Sequence, residues 1–261
     1  MPYATRDGLK LYYEQVGAGT PPFVFVPGWC CDHTLFEPQV AHFGTRSSAV
    51  SYDLRGCGRS DGGDDYEVAT LADDLAWVCD ELGVGRAIVV GHSLGALIAV
   101  ELVARYPHLV AAIVAVDPGP FDPLPASRER FSALAARIRD PNEDDPRPEY
   151  VASMFRPGDD LARAARVATT MCSPTRETAA SMLEGYLRWN GSAALAGCIV
   201  PMLVVLSSLA VQTSGSNDPA RLLALKPDLE ISAIVGAGHF LQLDAADQLT
   251  PMIERFVRDV S

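Results

Sequence analysis

The sequence predicts an α/β domain: a mostly parallel central sheet with helices on both faces and an inserted helical segment. Three observations predict it. Short apolar runs rich in β-branched residues alternate with segments of helical periodicity, which is the rhythm of a covered parallel sheet. That rhythm lapses between Phe121 and about Gly197, where helical stretches occur without a strong strand candidate, and resumes at Pro201. The length of 261 residues, with 48% hydrophobic and 21% charged residues, suits one large domain carrying a modest insertion and argues against disorder.

The elements follow in order. Leu9 to Val16 reads as a strand with aromatic content, broken by Gly17-Ala18-Gly19-Thr20-Pro21-Pro22. Phe23 to Val26 is a short apolar run, as expected of a strand buried on both faces. Ser48 to Tyr52 is a further strand. Leu71 to Leu82 places apolar residues at 71, 75, 78 and 82, a helical spacing that Gly83-Val84-Gly85 ends. Ala87 to Val90 reads as a strand, Leu94 to Tyr106 as a helix stopped by Pro107, and Val110 to Val116 as a strand. Helical stretches then fall at Ser127–Arg139, Asp159–Met171 and Thr175–Trp189. Met202 to Leu206 and Leu229 to Val235 resume the strands, and Asp247 to Val260 closes the chain as a helix. The expected division is a core from residues 1–120 and 198–261 with a helical cap from 121–197.

Charge and cysteine narrow the function classes. The chain has 21 basic and 33 acidic residues, a net charge of −12, which disfavours nucleic acid and anionic membrane as main partners. Its longest apolar run, Leu109 to Val116, has eight residues, against about 20 for a membrane-spanning helix. The first residues carry no signal-peptide core, so a cytoplasmic protein is expected. Lysine occurs only at Lys10 and Lys226, so arginine dominates, and with the many alanines this points to a GC-rich bacterial genome. The six cysteines, Cys30, Cys31, Cys57, Cys79, Cys172 and Cys198, have no metal-ligand spacing and are too sparse for a disulfide scaffold. No metal and no cofactor is expected.

The most informative segment is Gly91-His92-Ser93-Leu94-Gly95, a G-x-S-x-G between a strand and a helix. A serine on such a turn sits in a strained backbone, and small residues two before and two after it let chain elements pass closely. The helix that follows aims its free N–H groups at the site, where they favour developing negative charge. Ser93 is therefore the candidate nucleophile, and His92 reads as structural.

Four motifs together resemble the α/β-hydrolase family, over nearly the whole chain. Phe25-Val26-Pro27-Gly28-Trp29 is similar to its loop after the third strand. Tyr52 to Asp61 is similar to its D-x-R-G-x-G-x-S segment, Gly91 to Gly95 to its nucleophile elbow, and Gly236-Ala237-Gly238-His239-Phe240 to its histidine loop. The resemblance implies His239 as the base and an oxyanion hole made by the backbone N–H groups of Trp29 and Leu94. Many relatives carry His-Gly where this chain has Pro27-Gly28. By the same analogy Asp53 and Arg55 hold loops beneath the site. His42 and His108 read as surface residues, and His33, near the oxyanion loop, as a candidate substrate contact.

The third member of the triad is the departure. Most of the family carries an acid after the strand equivalent to Met202–Leu206, at the position of Ala210, yet Ser207-Ser208-Leu209-Ala210 has no carboxylate. Some relatives, including haloalkane dehalogenases and zearalenone-type lactonases, carry it after the strand that follows the elbow helix, where this chain has Asp117. The candidates are Asp117, Asp218 and a dyad without an acid, with Asp117 favoured because it ends a strand at the sheet edge where such sites collect. The cap implied by the resemblance would bring Met154, Phe155, Met171, Met182, Leu183, Tyr186, Leu187 or Trp189 to an apolar substrate pocket.

The leading expectation is a serine hydrolase of carboxylic esters or lactones, monomeric or homodimeric, with a small-molecule substrate. The alternatives are a cofactor-free dioxygenase of the same fold, which Val26 to His33 resembles, and a non-catalytic small-molecule binder.

Overall fold

The computed structural model describes residues 2–213 and 215–260. Its eight strands are β1 Tyr3–Arg6, β2 Leu9–Val16, β3 Phe23–Val26, β4 Ala49–Tyr52, β5 Ala87–His92, β6 Val110–Val116, β7 Met202–Ser207 and β8 Glu230–Ile234. They form one sheet in the order β1-β2-β4-β3-β5-β6-β7-β8. β1 and β2 are antiparallel to their neighbours, and β3 to β8 run parallel.

Alternation along the strands sorts the core into two layers. Val24, Val26, Val89, Ile113, Ala115, Met202 and Val204 face one cluster, whereas Phe23, Phe25, Ile88, Val90, Val114, Leu203 and Val205 face the other. Successive strand side chains point to opposite faces, so both faces of these strands must be covered. Helices α1 (Glu37–Phe43) and α12 (Ala246–Val260) cover the second cluster through Val40, Phe43, Leu249, Ile253 and Phe256. Helices α2 (Val68–Glu81) and α3 (Leu94–Arg105) cover the first.

Between β6 and β7 the chain carries five helices: α4 Pro125–Arg139, α5 Arg147–Ala152, α6 Leu161–Cys172, α7 Arg176–Arg188 and α8 Gly191–Ala196. The remaining helices, α9 Ser208–Thr213, α10 Pro219–Leu225 and α11 Leu241–Asp244, lie after β7 and β8. No helix among the described residues is long and apolar enough to cross a membrane.

The strand β1 lies outside the sequence expectation. It pairs with β2 through a two-residue turn in which Asp7 and Gly8 both take positive φ, 51° and 87°. That is the geometry of a primed hairpin turn, and Asp-Gly is its preferred dipeptide. Helices α5 and α8, six residues each, are too short to show a period.

Candidate active site

Ser93 leaves β5 at φ 51° and ψ −115°, outside the regions an L-residue favours, immediately before α3. Two glycines permit the turn. A Cβ on Gly95 would run into the carbonyl oxygens of Val26 and Pro27, and one on Gly91 into the carbonyl of Gly95. The strand, the turn and the start of α3 are thus packed backbone against backbone. The Ser93 N–H bonds Val116 O at 3.1 Å, which ties the elbow to β6.

Asp117 ends that same β6. Its φ is +41°, a second strained non-glycine residue at the same sheet edge, and its N–H reaches Val205 O at 2.8 Å. One carboxylate oxygen, Oδ2, lies 2.6 Å from His239 Nδ1. The other accepts the Ser207 N–H at 2.7 Å, and the Ser207 hydroxyl donates to Oδ2 at 3.0 Å. An ionised carboxylate only accepts, so Nδ1 carries the imidazole proton and Nε2 is left as a lone pair. Asp117 is 3% exposed, so little water competes for these bonds.

The main chain of His239 is held at both ends. Its N–H bonds Met154 O at 3.1 Å, and its carbonyl receives His92 Nε2 at 2.9 Å. Burial, reinforced by the neighbouring His239, holds the His92 imidazole well below the ordinary histidine range. His92 is therefore a neutral brace beneath the site. Ser208 completes the loop: its hydroxyl donates to Ala237 O at 3.0 Å and receives the Gly236 N–H at 3.2 Å.

Ser93, Asp117 and His239 open onto one cleft of about 1090 Å³, its open mouth included, lined also by Trp29 and Leu94. A direct Ser93–His239 hydrogen bond is not among the contacts of the described residues. Such a bond often forms only when substrate arrives. Leu94 is the first residue of α3, so its N–H has no carbonyl four residues back within the helix. Cys31 also faces the cleft, but burial pushes its thiol well above the ordinary range and its Sγ lies 3.5 Å from Trp29 O. It is a protonated thiol, unsuited to nucleophilic attack.

Residues 23–251 match the model of the alpha/beta hydrolase family. The chain belongs to that family. It is 27% identical over 270 positions to the 2-(acetamidomethylene)succinate hydrolase of Mesorhizobium japonicum, covering 95% of this chain and 92% of that one. A solved structure of E-2-(acetamidomethylene)succinate hydrolase is similar with a TM-score of 0.75 at 26% identity, over 98% of this chain and 99% of that one. The enol-lactonase of Burkholderia xenovorans LB400 shares the fold with a TM-score of 0.84 at 22% identity, over 98% of this chain and all of that one.

Some of the expected positions of this hydrolase's residues change. Met154, Met171, Met182, Leu183 and Tyr186 reach the cleft, while Phe155, Leu187 and Trp189 do not line it. The Trp189 indole N–H donates instead to Glu101 Oε2 at 2.8 Å, anchoring the end of α7 to α3. His33 is also away from the cleft. Its Nδ1 lies 2.7 Å from Asp53 Oδ1 and its Nε2 3.4 Å from Glu14 Oε1. Asp53 further accepts the N–H groups of His33 and Arg59, each at 2.7 Å, and Arg55 grips Asp74 in two bonds of 2.6 Å. Asp218 forms no hydrogen bond or ion pair with His239 among the described residues; its carboxylate caps α10 instead, accepting the Ala220 N–H at 2.8 Å. The residues that sequence reasoning missed are Ser207, which holds Asp117, and Arg130, Tyr150 and Ser153, which the inserted helices bring to the cleft.

Proposed function

We propose that this hydrolase cleaves a carboxylic ester or a lactone through an acyl-enzyme formed on Ser93, with residues 121–197 as the cap over the site. The observation that carries this reading is the 2.6 Å contact between Asp117 and His239 Nδ1 on the wall of the cleft that Ser93 shares. His239 Nε2 takes the Ser93 proton as Oγ attacks the carbonyl carbon. The N–H groups of Leu94 and Trp29 receive the oxyanion. Collapse expels the alcohol, protonated by the imidazolium that Asp117 stabilises. Water, deprotonated by the same imidazole, then attacks the acyl-enzyme and restores Ser93.

The test is Ser93→Ala against a panel of p-nitrophenyl esters and lactones. The expected loss is roughly 10³-fold or more in kcat, with an unchanged melting temperature. A fluorophosphonate should label the parent protein at Ser93 and leave the variant unlabelled. Turnover retained by Ser93→Ala would overturn the reading.

A further inference from the structure

Among the described residues, the cleft has one cation on its wall that the proposed chemistry does not use. Arg130, on α4, lines the same cleft as Ser93 and His239. Five other arginines of the inserted helices are tied down: Arg128 donates to Leu187 O, and Arg139, Arg147, Arg163 and Arg188 each meet a carboxylate. Arg130 forms no ion pair with a described residue, and its guanidinium carbon lies 5.2 Å from the Phe131 ring centroid. Among the described residues the only carboxylate on the cleft wall, Asp117, is already held by His239 and Ser207.

A phenol of matching chemistry lines the same cleft. Tyr150, from α5, lines the cleft and meets the Trp29 ring edge-on at 5.8 Å. Burial raises the Tyr150 phenol above its ordinary range while the Arg130 charge pulls the other way, which places the two groups in one another's field. The phenol is therefore a protonated donor at neutral pH, and it makes no hydrogen bond to a described residue. Tyr186, by contrast, is committed to Pro120 O at 2.9 Å.

We propose that the substrate carries a carboxylate besides the bond that is cleaved, and that the Arg130 guanidinium, aided by the Tyr150 hydroxyl, receives it. The proposal rests on the hydrolase reading above and specifies its substrate class. Arg130 is exposed and has no counter-charge among the described residues, so a substrate carboxylate can take the place of the water on its guanidinium. An anionic substrate needs it, because a chain of net charge −12 repels anions unless a fixed cation offsets that field at the point of entry. A guanidinium offers two parallel N–H donors that fit both carboxylate oxygens, which an ammonium cannot match.

Two matched ester pairs test this at low ionic strength. In one, p-nitrophenyl hemiglutarate is compared with p-nitrophenyl valerate, so the charge is on the acyl side. In the other, 4-acetoxybenzoate is compared with its methyl ester, so the charge is on the alcohol side. Binding of glutarate to Ser93→Ala and to Ser93→Ala/Arg130→Gln, followed by calorimetry, gives a readout that needs no turnover. At least one anionic ester should have the higher kcat/KM of its pair. Arg130→Gln should cut that preference by roughly tenfold to a hundredfold, the range for a charge-assisted hydrogen bond, with Arg130→Lys in between. Glutarate should bind at least about tenfold more weakly when Arg130 is replaced. An Arg130-dependent change in either readout supports the carboxylate site. If neither ester preference nor glutarate affinity depends on Arg130, the proposal is overturned. A parent protein that turns over no ester and takes no fluorophosphonate would sink the hydrolase reading separately, and glutarate binding would still decide the role of Arg130.

Discussion

Asp117 leaves β6 in a left-handed conformation and accepts from three donors: the His239 imidazole, the Ser207 amide and the Ser207 hydroxyl. An asparagine there has one acceptor oxygen and a competing donor, so the imidazole loses the partner that fixes its tautomer. Asp117→Asn should lower kcat roughly 10²-fold or more with little change in KM. Asp218→Asn should cost under about tenfold in kcat and little in stability, because the side chain caps α10 and an asparagine oxygen caps a helix about as well. Steady-state kinetics of the two variants with one ester decide this, and the reverse ranking would move the acid to Asp218. Ser93 and His239 could be named as candidates from the sequence because a glycine-bracketed turn is a local signal. Asp117 could be named as a candidate through the family resemblance, since the position where most of the family carries the acid holds Ala210. Ser207 could not. The run Ser207-Ser208 reads as a missing acid, yet its hydroxyls hold the Asp117 carboxylate on one side and the histidine loop on the other. That pairing exists only because β6 and β7 are neighbours in the sheet.

The inserted helices also brace the histidine loop. Met154 O accepts the His239 N–H, and Phe155 stacks on Phe240 with centroids 5.0 Å apart. Arg163 on α6 bonds Asp244 on α11 at 2.7 Å, five residues beyond His239. Burial raises the Asp244 carboxyl above its ordinary range, and the Arg163 bond opposes that shift. Removing Arg163 strands a partly buried charge beside the loop that carries His239. Arg163→Ala should therefore lower the melting temperature and reduce kcat roughly fivefold to fiftyfold, since small displacements of a reacting group are costly. The loss should be the same for a neutral ester and its anionic twin, which separates positioning from charge recognition. Adding Asp244→Asn should recover part of both losses by removing the stranded charge. A normal kcat in Arg163→Ala would mean that the pair only fastens the insertion. None of these contacts was legible in sequence, because they depend on how five helices fold back across a loop 80 residues away. The Asp7-Gly8 turn of β1 is the opposite case: a local signal was present, but a four-residue strand with only Ala4 buried gives no hydrophobic pattern to go with it.

Across the whole molecule the strand–helix rhythm was legible because the inner parallel strands β3 to β7 are buried on both faces, but the order of strands in the sheet leaves no trace in that rhythm. Nor does the pairing of His33 with Asp53 and Glu14, which joins the loop after β3 to β4 and β2. That pairing and His92 together set a pH dependence of stability. Burial works against the charged form of His33, yet its bond to Asp53 and the surrounding carboxylates raise its pKa above the ordinary 6.5. The folded chain then holds a proton above pH 6.5 that the unfolded chain releases. The stabilisation is complete below about 6.5 and is lost as pH rises through the folded value. His92 has the opposite sign. Its depressed pKa means that the unfolded chain takes up a proton below 6.5 that the folded chain refuses, so stability is lost as pH falls. The two windows meet, and the melting temperature should peak at about pH 6.5. His33→Gln keeps a donor for Asp53 but cannot titrate. Its melting temperature should be lower at pH 6 and should decline less between pH 6.5 and 8.5 than that of the parent, while the acid limb keeps its slope. Thermal melts of both proteins across pH 5 to 8.5 measure this, and an alkaline limb equally steep in His33→Gln would show that the loss above 6.5 arises from groups other than His33.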